Sequence, residues 1–309
     1  MYDIIGDIHG HADELIELLK KLDYEDTPAG FRHSSRQAIF AGDFIDRGPR
    51  IRDTISIVRA MCDSGAAQAV MGNHELNALA YHSPHPTRTG EFLRAHTHKN
   101  EHQHQATLQQ LNAQEMTDAL AWFRTLPPAL DLGALRVVHA CWDDECLRVL
   151  NDAARHSGYM TDDFLRQATE VGNSVFIAIE RVMKGPEMKL PDGYFMIDKE
   201  GTKRPVARIR WFESPEGHNC ASYSIPVLRN PDLETQPVPK SVRPSLYDAK
   251  NPPVFVGHYW LPDKSPVPLA ANIACVDYSV AKHGMLAAYR FGGERELQSA
   301  NFVTVPARS

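Results

Sequence analysis

Three short motifs hold the side chains best suited to chemistry. They are Gly6-Asp7-Ile8-His9-Gly10, Gly42-Asp43-Phe44-Ile45-Asp46-Arg47-Gly48 and Gly72-Asn73-His74-Glu75. Carboxylates, imidazoles and an amide oxygen together form the donor set of a hard-to-borderline metal ion. Each motif follows an apolar run, at 2–5, 38–41 and 67–71, that reads as a buried strand. In an open α/β sheet, loops at the carboxyl ends of the strands converge on one crevice. Asp7, His9, Asp43, Asn73 and His74 are therefore expected to meet there.

The elements that must position them follow from periodicity. Leu15, Leu18, Leu19 and Leu22 recur at helical spacing, which predicts an amphipathic helix over 12–22. Residues 51–62 behave alike, with Gly65 as a stop. Strand–helix–strand–helix–strand argues for a parallel sheet with right-handed crossovers. Residues 24–35 read as a polar connection, and a helix is expected from 106 to 124, before Pro127-Pro128. Two short strands, 130–132 and 135–139, read as a hairpin. Residues 161–184 read as helix broken near Gly172, and 193–211 as β-like with a turn at Lys199-Glu200-Gly201. Residues 230–253 hold six prolines and read as irregular loop. Further strands are expected at 254–257, 273–277, 285–291 and 302–305. Residues 1–309 read as a single domain, with 142–253 as a cap or substrate-recognition insertion within it.

The patterns GD-x-HG, GD-x-x-DRG and GNHE, in that order, resemble those of the calcineurin-like metallophosphoesterases, within them the PPP type. That type includes protein serine/threonine phosphatases and bacterial diadenosine tetraphosphatases. The resemblance implies an α/β fold of layered α/β/β/α form, with two central mixed sheets flanked by helices and an insertion between the last two metal histidines. It implies two divalent cations, Mn2+ first, with Fe or Zn compatible. Asp7 and His9 would hold one, Asp43 would bridge both, and Asn73 would bind the second. Two later histidines are required. His139 after Val137-Val138, and His258 after Phe255-Val256-Gly257, end strand-like runs and resemble the family's "HG" and "GH" histidines. Ala140-Cys141 stand where glycines are expected after the first of these.

The chemistry implied is hydrolysis of phosphoester bonds by direct attack of a metal-bridging hydroxide. Arg47 would clamp phosphate, since a guanidinium fork matches two phosphoryl oxygens. His74 would act as general acid toward the leaving oxygen, with Asp46 fixing its ring. Asn73 also faces the substrate, and Glu75 braces the loop. A second phosphate-binding arginine is expected between the last two histidines, at Arg208 or Arg210, which alternate along a strand and would share a face. The histidines at 82, 85, 96, 98, 102 and 104 should overhang the crevice, read as a solvated loop. A phosphomonoesterase of the protein-phosphatase type is the first reading, and a hydrolase of dinucleoside polyphosphates such as diadenosine tetraphosphate the alternative. A catalytically silent scaffold is the third, disfavoured because no motif residue is missing.

Composition bounds the partners. The 309 residues are 43% apolar, and 33 basic against 39 acidic residues give a net charge of −6. Such a chain carries no strong nucleic-acid signal; the partner that the resemblance implies is a phosphorylated protein, nucleotide or small phosphoester. No run approaches the length of a membrane span, and the first strand starts too near Met1 for a leader. The five cysteines form no C-x-x-C pair. Free thiols in the cytoplasm are expected, with Cys141 a small buried residue rather than a nucleophile.

Overall fold

The computed structural model describes residues 1–197 and 201–308. The parallel core forms as the alternation of elements predicts. Tyr2–Ile5 pairs in parallel with Gln37–Phe40, and this with Ala67–Ala69, through the crossover helices Ala12–Lys21 and Ile51–Asp63. Met285–Phe291 adds antiparallel to the free edge of Tyr2–Ile5 and itself carries Phe302–Pro306 and Asp277–Tyr278. This makes a six-stranded mixed sheet. A second mixed sheet has four strands. Ala129–Asp131 and Arg136–Val138 form its hairpin, and Val254–Val256 and Ile273–Cys275 continue it in parallel.

Side-chain alternation fixes the layers. Ile4, Ile39, Val137, Phe255 and Ala274 share one buried cluster, drawn from both sheets and from no helix. Their neighbours Ile5, Phe40, Val138, Val256 and Cys275 join the other cluster, with Leu15, Leu18 and Val58 of the first helices and Ile179 and Val182 of a later one. The two sheets thus face each other and helices cover their outer faces, the expected α/β/β/α sandwich. Helices Asp144–Ser157, Asp162–Thr169 and Ser174–Lys184 belong to the outer layer over the second sheet. Val182 O accepts from the backbone N–H groups of Ala140 and Cys141, at 3.1 and 3.2 Å.

Several expectations need correction. Residues 24–35 hold a small hairpin, Glu25–Thr27 against Gly30–Arg32, rather than a bare connection. The helix expected over 106–124 is two helices, His98–Gln110 and Ala113–Phe123. Asn112 separates them because its side chain accepts from Glu115 N–H while Glu115 bonds back to its N–H, a capping box that starts a new helix. The His-rich stretch is therefore partly helical. Helix Asp144–Ser157 stands where the sequence predicts no element, at the start of the expected insertion. The break near Gly172 is as expected. In the β-like stretch, Met196–Ile197 pairs with Lys203–Arg204 and Glu187–Lys189 with Val206–Arg208. Of the predicted turn at Lys199-Glu200-Gly201, Lys199 and Glu200 lie outside the described residues. Among those described, no helix is long and apolar enough to cross a membrane.

Candidate metal centre

Both sheets deliver their parallel strands' carboxyl ends to one place. Asp7 and His9 follow Tyr2–Ile5, Asp43 follows Gln37–Phe40, and Asn73 opens helix Asn73–His82 after Ala67–Ala69. His139 directly follows Arg136–Val138, and His258 follows Val254–Val256. The backbone is strained where these groups meet. His9, Asp43, Asp46, Arg47 and His258 have φ of 46°, 55°, 66°, 70° and 69°, a region costly for residues with a Cβ and often tolerated at functional sites. Two glycines permit the approach. A Cβ on Gly257 would lie 2.1 Å from Asp7 Oδ1, and one on Gly72 2.2 Å from Asp43 Oδ1.

Asp43 is the focus. Its Oδ2 lies 3.4 Å from His139 Nε2, 3.6 Å from His9 Nε2 and 3.9 Å from His74 Nε2. His258 brings a further ring nitrogen to the group formed by Asp43 and His139. Asp7 accepts the His258 backbone N–H with both oxygens, at 3.1 and 3.2 Å, which ties the first sheet to the second. Asn73 Oδ1 is 3.1 Å from His139 Nε2.

These residues fit divalent cations. His9 Nδ1 donates to Ile45 O at 2.9 Å and His139 Nδ1 to Ala41 O at 2.7 Å. With Nδ1 so engaged, each Nε2 faces the cluster, the orientation of a ligating histidine; His9 offers a lone pair there, while His139 Nε2 carries a proton, donated to Asn73 Oδ1, that a cation would displace. His9 Nε2 is buried without a hydrogen-bond partner. Burial, with His74 and Arg47 nearby, holds the His9 imidazole far on the neutral side. Burial and the Asp277 and Asp43 charges hold the Asp7 carboxyl well above the usual range. Burial opposes charge on His139, yet Asp43 and Asp7 outweigh it and raise its pKa to about 10. The cluster is thus short of positive charge, and it draws protons where cations would serve.

Glu75 organises the loops. Its two oxygens accept the backbone N–H groups of Asp43, Phe44 and Gly72, at 2.9, 2.8 and 3.0 Å. Burial, then the neighbouring Asp43, pushes its pKa up to about 7. The bracing role expected from its position matches these contacts.

Beside the cluster, Asp46 is shared by two imidazoles. Its Oδ2 lies 2.5 Å from His74 Nδ1 and its Oδ1 2.8 Å from His104 Nδ1. Thr107 Oγ1 donates to Oδ1 at 2.5 Å. Burial opposes ionisation of Asp46, but the bonds to His104 and His74 prevail and hold its carboxyl far below the usual range. His104 Nε2 is in turn 3.2 Å from His82 Nε2. The solvated-loop reading of the histidines is therefore corrected for His104, which is 5% exposed. Sequence reasoning missed it because the break between the two helices was unseen; the i, i+3 spacing of His104 and Thr107 on one helix face was the available signal. Replacing His104 by alanine leaves Asp46 short of one buried partner. The expected loss is about 1–3 kcal/mol of stability, together with a fall in kcat at unchanged KM, checked by urea denaturation and steady-state kinetics.

Arg47 lies over Trp260, its Cζ 4.7 Å from the ring centroid, a contact that orients the guanidinium. The Trp260 backbone N–H donates to Asp277 Oδ2 at 2.7 Å, so Asp277 sets the loop after His258. Neither Trp260 nor Asp277 stood out in the sequence. A cleft of about 600 Å³ opens from the cluster and is bounded by Arg47, Asn73, His74, Arg94, Arg208 and His258 among others. Arg208 lies on its wall, donating to Lys184 O and, at 2.7 Å, to Glu187 Oε1. Arg210 does not share that face. The strand ends at Arg208, and Arg210 turns to Glu213 and to Leu269 O, at 2.8 Å from the latter.

A family model described as calcineurin-like phosphoesterase matches residues 2–179. A symmetrical bis(5'-nucleosyl)-tetraphosphatase of Aromatoleum aromaticum is 30% identical over 232 residues, covering 68% of this chain and 76% of that protein. An asymmetrical bis(5'-nucleosyl)-tetraphosphatase of Bacillus velezensis is 34% identical over 146 residues, covering 45% of this chain and 55% of that protein. The match to the Bacillus velezensis relative thus spans about half its length. A cold-active protein-tyrosine phosphatase of a psychrophilic Shewanella superposes with a TM-score of 0.54 at 16% identity, over 99% of this chain and 80% of that one. At that identity the likeness is one of fold.

Proposed function

Because the chain belongs to the calcineurin-like phosphoesterase family, as a metal-dependent hydrolase, we propose that Asp7, His9, Asp43, Asn73, His139 and His258 hold two divalent cations and that phosphorylated substrates are hydrolysed there. The observation that carries this reading is Asp43 Oδ2, faced by imidazole nitrogens from three separate segments of the chain at 3.4 to 3.9 Å. Once bound, the cations supply Lewis acidity and a nucleophile at neutral pH. Mn2+ is our first choice, and the donor set also suits Fe and Zn.

The chain's own groups do the rest. Arg47, steadied on Trp260, takes two phosphoryl oxygens as a fork. Asn73 holds a place between the cluster and the cleft. Asp46 fixes His74 through Nδ1, which leaves Nε2 to carry a proton to the departing oxygen. Arg208 reaches the phosphate side of the cleft only if its bond to Glu187 opens, which places it second to Arg47. Arg210 has no part in this reading. The expected insertion over 142–253 begins with helices of the outer layer; its later part, from Glu180 on, walls the cleft and sets substrate choice. All five cysteines are free thiols, and we place the protein in the cytoplasm on that basis.

Among substrates we place dinucleoside polyphosphates ahead of phosphomonoesters of the protein-phosphatase type. The names of the relatives support this order, and the cleft extends well past the cluster. The test is a kcat/KM panel on Mn2+-loaded protein with diadenosine tetraphosphate, p-nitrophenyl phosphate and phosphopeptides. A preference for diadenosine tetraphosphate of about tenfold or more is expected. The reverse ranking restores the phosphomonoester reading, and no turnover of any of them refutes both.

A further inference from the structure

We propose that Arg94, with Lys99, forms a subsite for a phosphate on the leaving-group side of the phosphorus under attack. The proposal rests on the reading above and assigns residues to its specificity. Helix Asn73–His82 carries His74 and, one turn later, Asn77. Asn77 Oδ1 accepts from Arg94 Nη1 at 3.0 Å, and Gln103 Oε1 accepts from Nη2 at 3.0 Å. The guanidinium is thereby fixed on the side of the group that protonates the leaving oxygen.

Both of those partners are neutral. Among the described residues Arg94 makes no ion pair, and only Asp46 and Glu180 act on it, from a distance. Burial lowers its pKa, so the site keeps a partly desolvated cation without a bonded carboxylate. Two of its five N–H groups are used by the amides, and three remain for an anion. The other wall of the cleft is different. There Lys184 is paired with Glu180, and Arg208 with Glu187. Lys99, exposed, borders the same cleft as Arg94 and adds a second positive charge. An unpaired, pre-oriented guanidinium is a receptor for phosphate.

Hydrolysis breaks the bond from phosphorus to the bridging oxygen. Water supplies the new oxygen on phosphorus, and the bridging oxygen leaves with a proton. In a phosphoserine peptide the leaving group is an uncharged side-chain alcohol. In a dinucleoside polyphosphate it is another phosphate, which matches the charge of Arg94 and Lys99.

The test compares wild type with Arg94→Met, Arg94→Lys and Lys99→Ala. One readout is the ratio of kcat/KM for diadenosine tetraphosphate to that for p-nitrophenyl phosphate. The other is the Kd of tripolyphosphate for metal-free protein by calorimetry. Arg94→Met is expected to lower the ratio about 10- to 100-fold and to weaken tripolyphosphate about tenfold. Arg94→Lys should fall between, and Lys99→Ala should lower the ratio about threefold. Lys99→Ala alters only an exposed side chain and keeps the test open if the arginine variants do not fold. An unchanged ratio in folded Arg94→Met, or equal losses on both substrates, overturns the proposal. If wild type spares diadenosine tetraphosphate, the functional reading fails separately, and the tripolyphosphate Kd still decides the subsite.

Discussion

Asp43→Asn is expected to lower kcat by about a thousandfold or more, roughly 4 kcal/mol of transition-state stabilisation, with most of the bound metal lost. The substitution is nearly isosteric, so the fold should survive. Oδ1 can still accept the His74 backbone N–H, now at 2.9 Å, and Glu75 still receives the backbone N–H of residue 43. The side chain's NH2 then stands where Oδ2 was, amid the nitrogens of His9, His139 and His74. An amide NH2 has no lone pair to offer a cation. Elemental analysis and a circular-dichroism melt on the same sample separate metal loss from unfolding. A variant that keeps both metal and rate removes Asp43 from its bridging place.

His74→Asn is expected to act differently. The rate should fall about 10²- to 10⁴-fold, while metal content is retained. The loss should grow with the basicity of the leaving oxygen, being smaller for p-nitrophenyl phosphate than for phenyl phosphate. The reason is that His74 is anchored through Nδ1 by Asp46 at 2.5 Å and presents only Nε2 to the site. Uniform losses across leaving groups, together with loss of metal, would instead make His74 a ligand.

The candidate site was readable because each motif follows a short apolar run bounded by turn residues, a pattern that fits a buried strand. His139 and His258 are more than a hundred positions apart, yet both strands that deliver them belong to one parallel pair. His104 and Arg94 were not readable in the same way. Their roles depend on helix His98–Gln110 folding back over Asp46, and only the capping pair Asn112 and Glu115 marks in the sequence where that helix gives way to the next. Trp260 and Asp277 were hidden because a loop hydrogen bond, which leaves no periodic trace, places one on the other. Arg208 and Arg210 show the limit of alternation as a guide, since it holds only while the strand lasts.

The most direct measurement is the number of Mn2+ ions bound per chain, by equilibrium dialysis with elemental analysis, for wild type and Asp43→Asn side by side. Two ions on wild type and at most one on the variant are the expected values. One ion or none on wild type, or two on both, would contradict a shared site centred on Asp43.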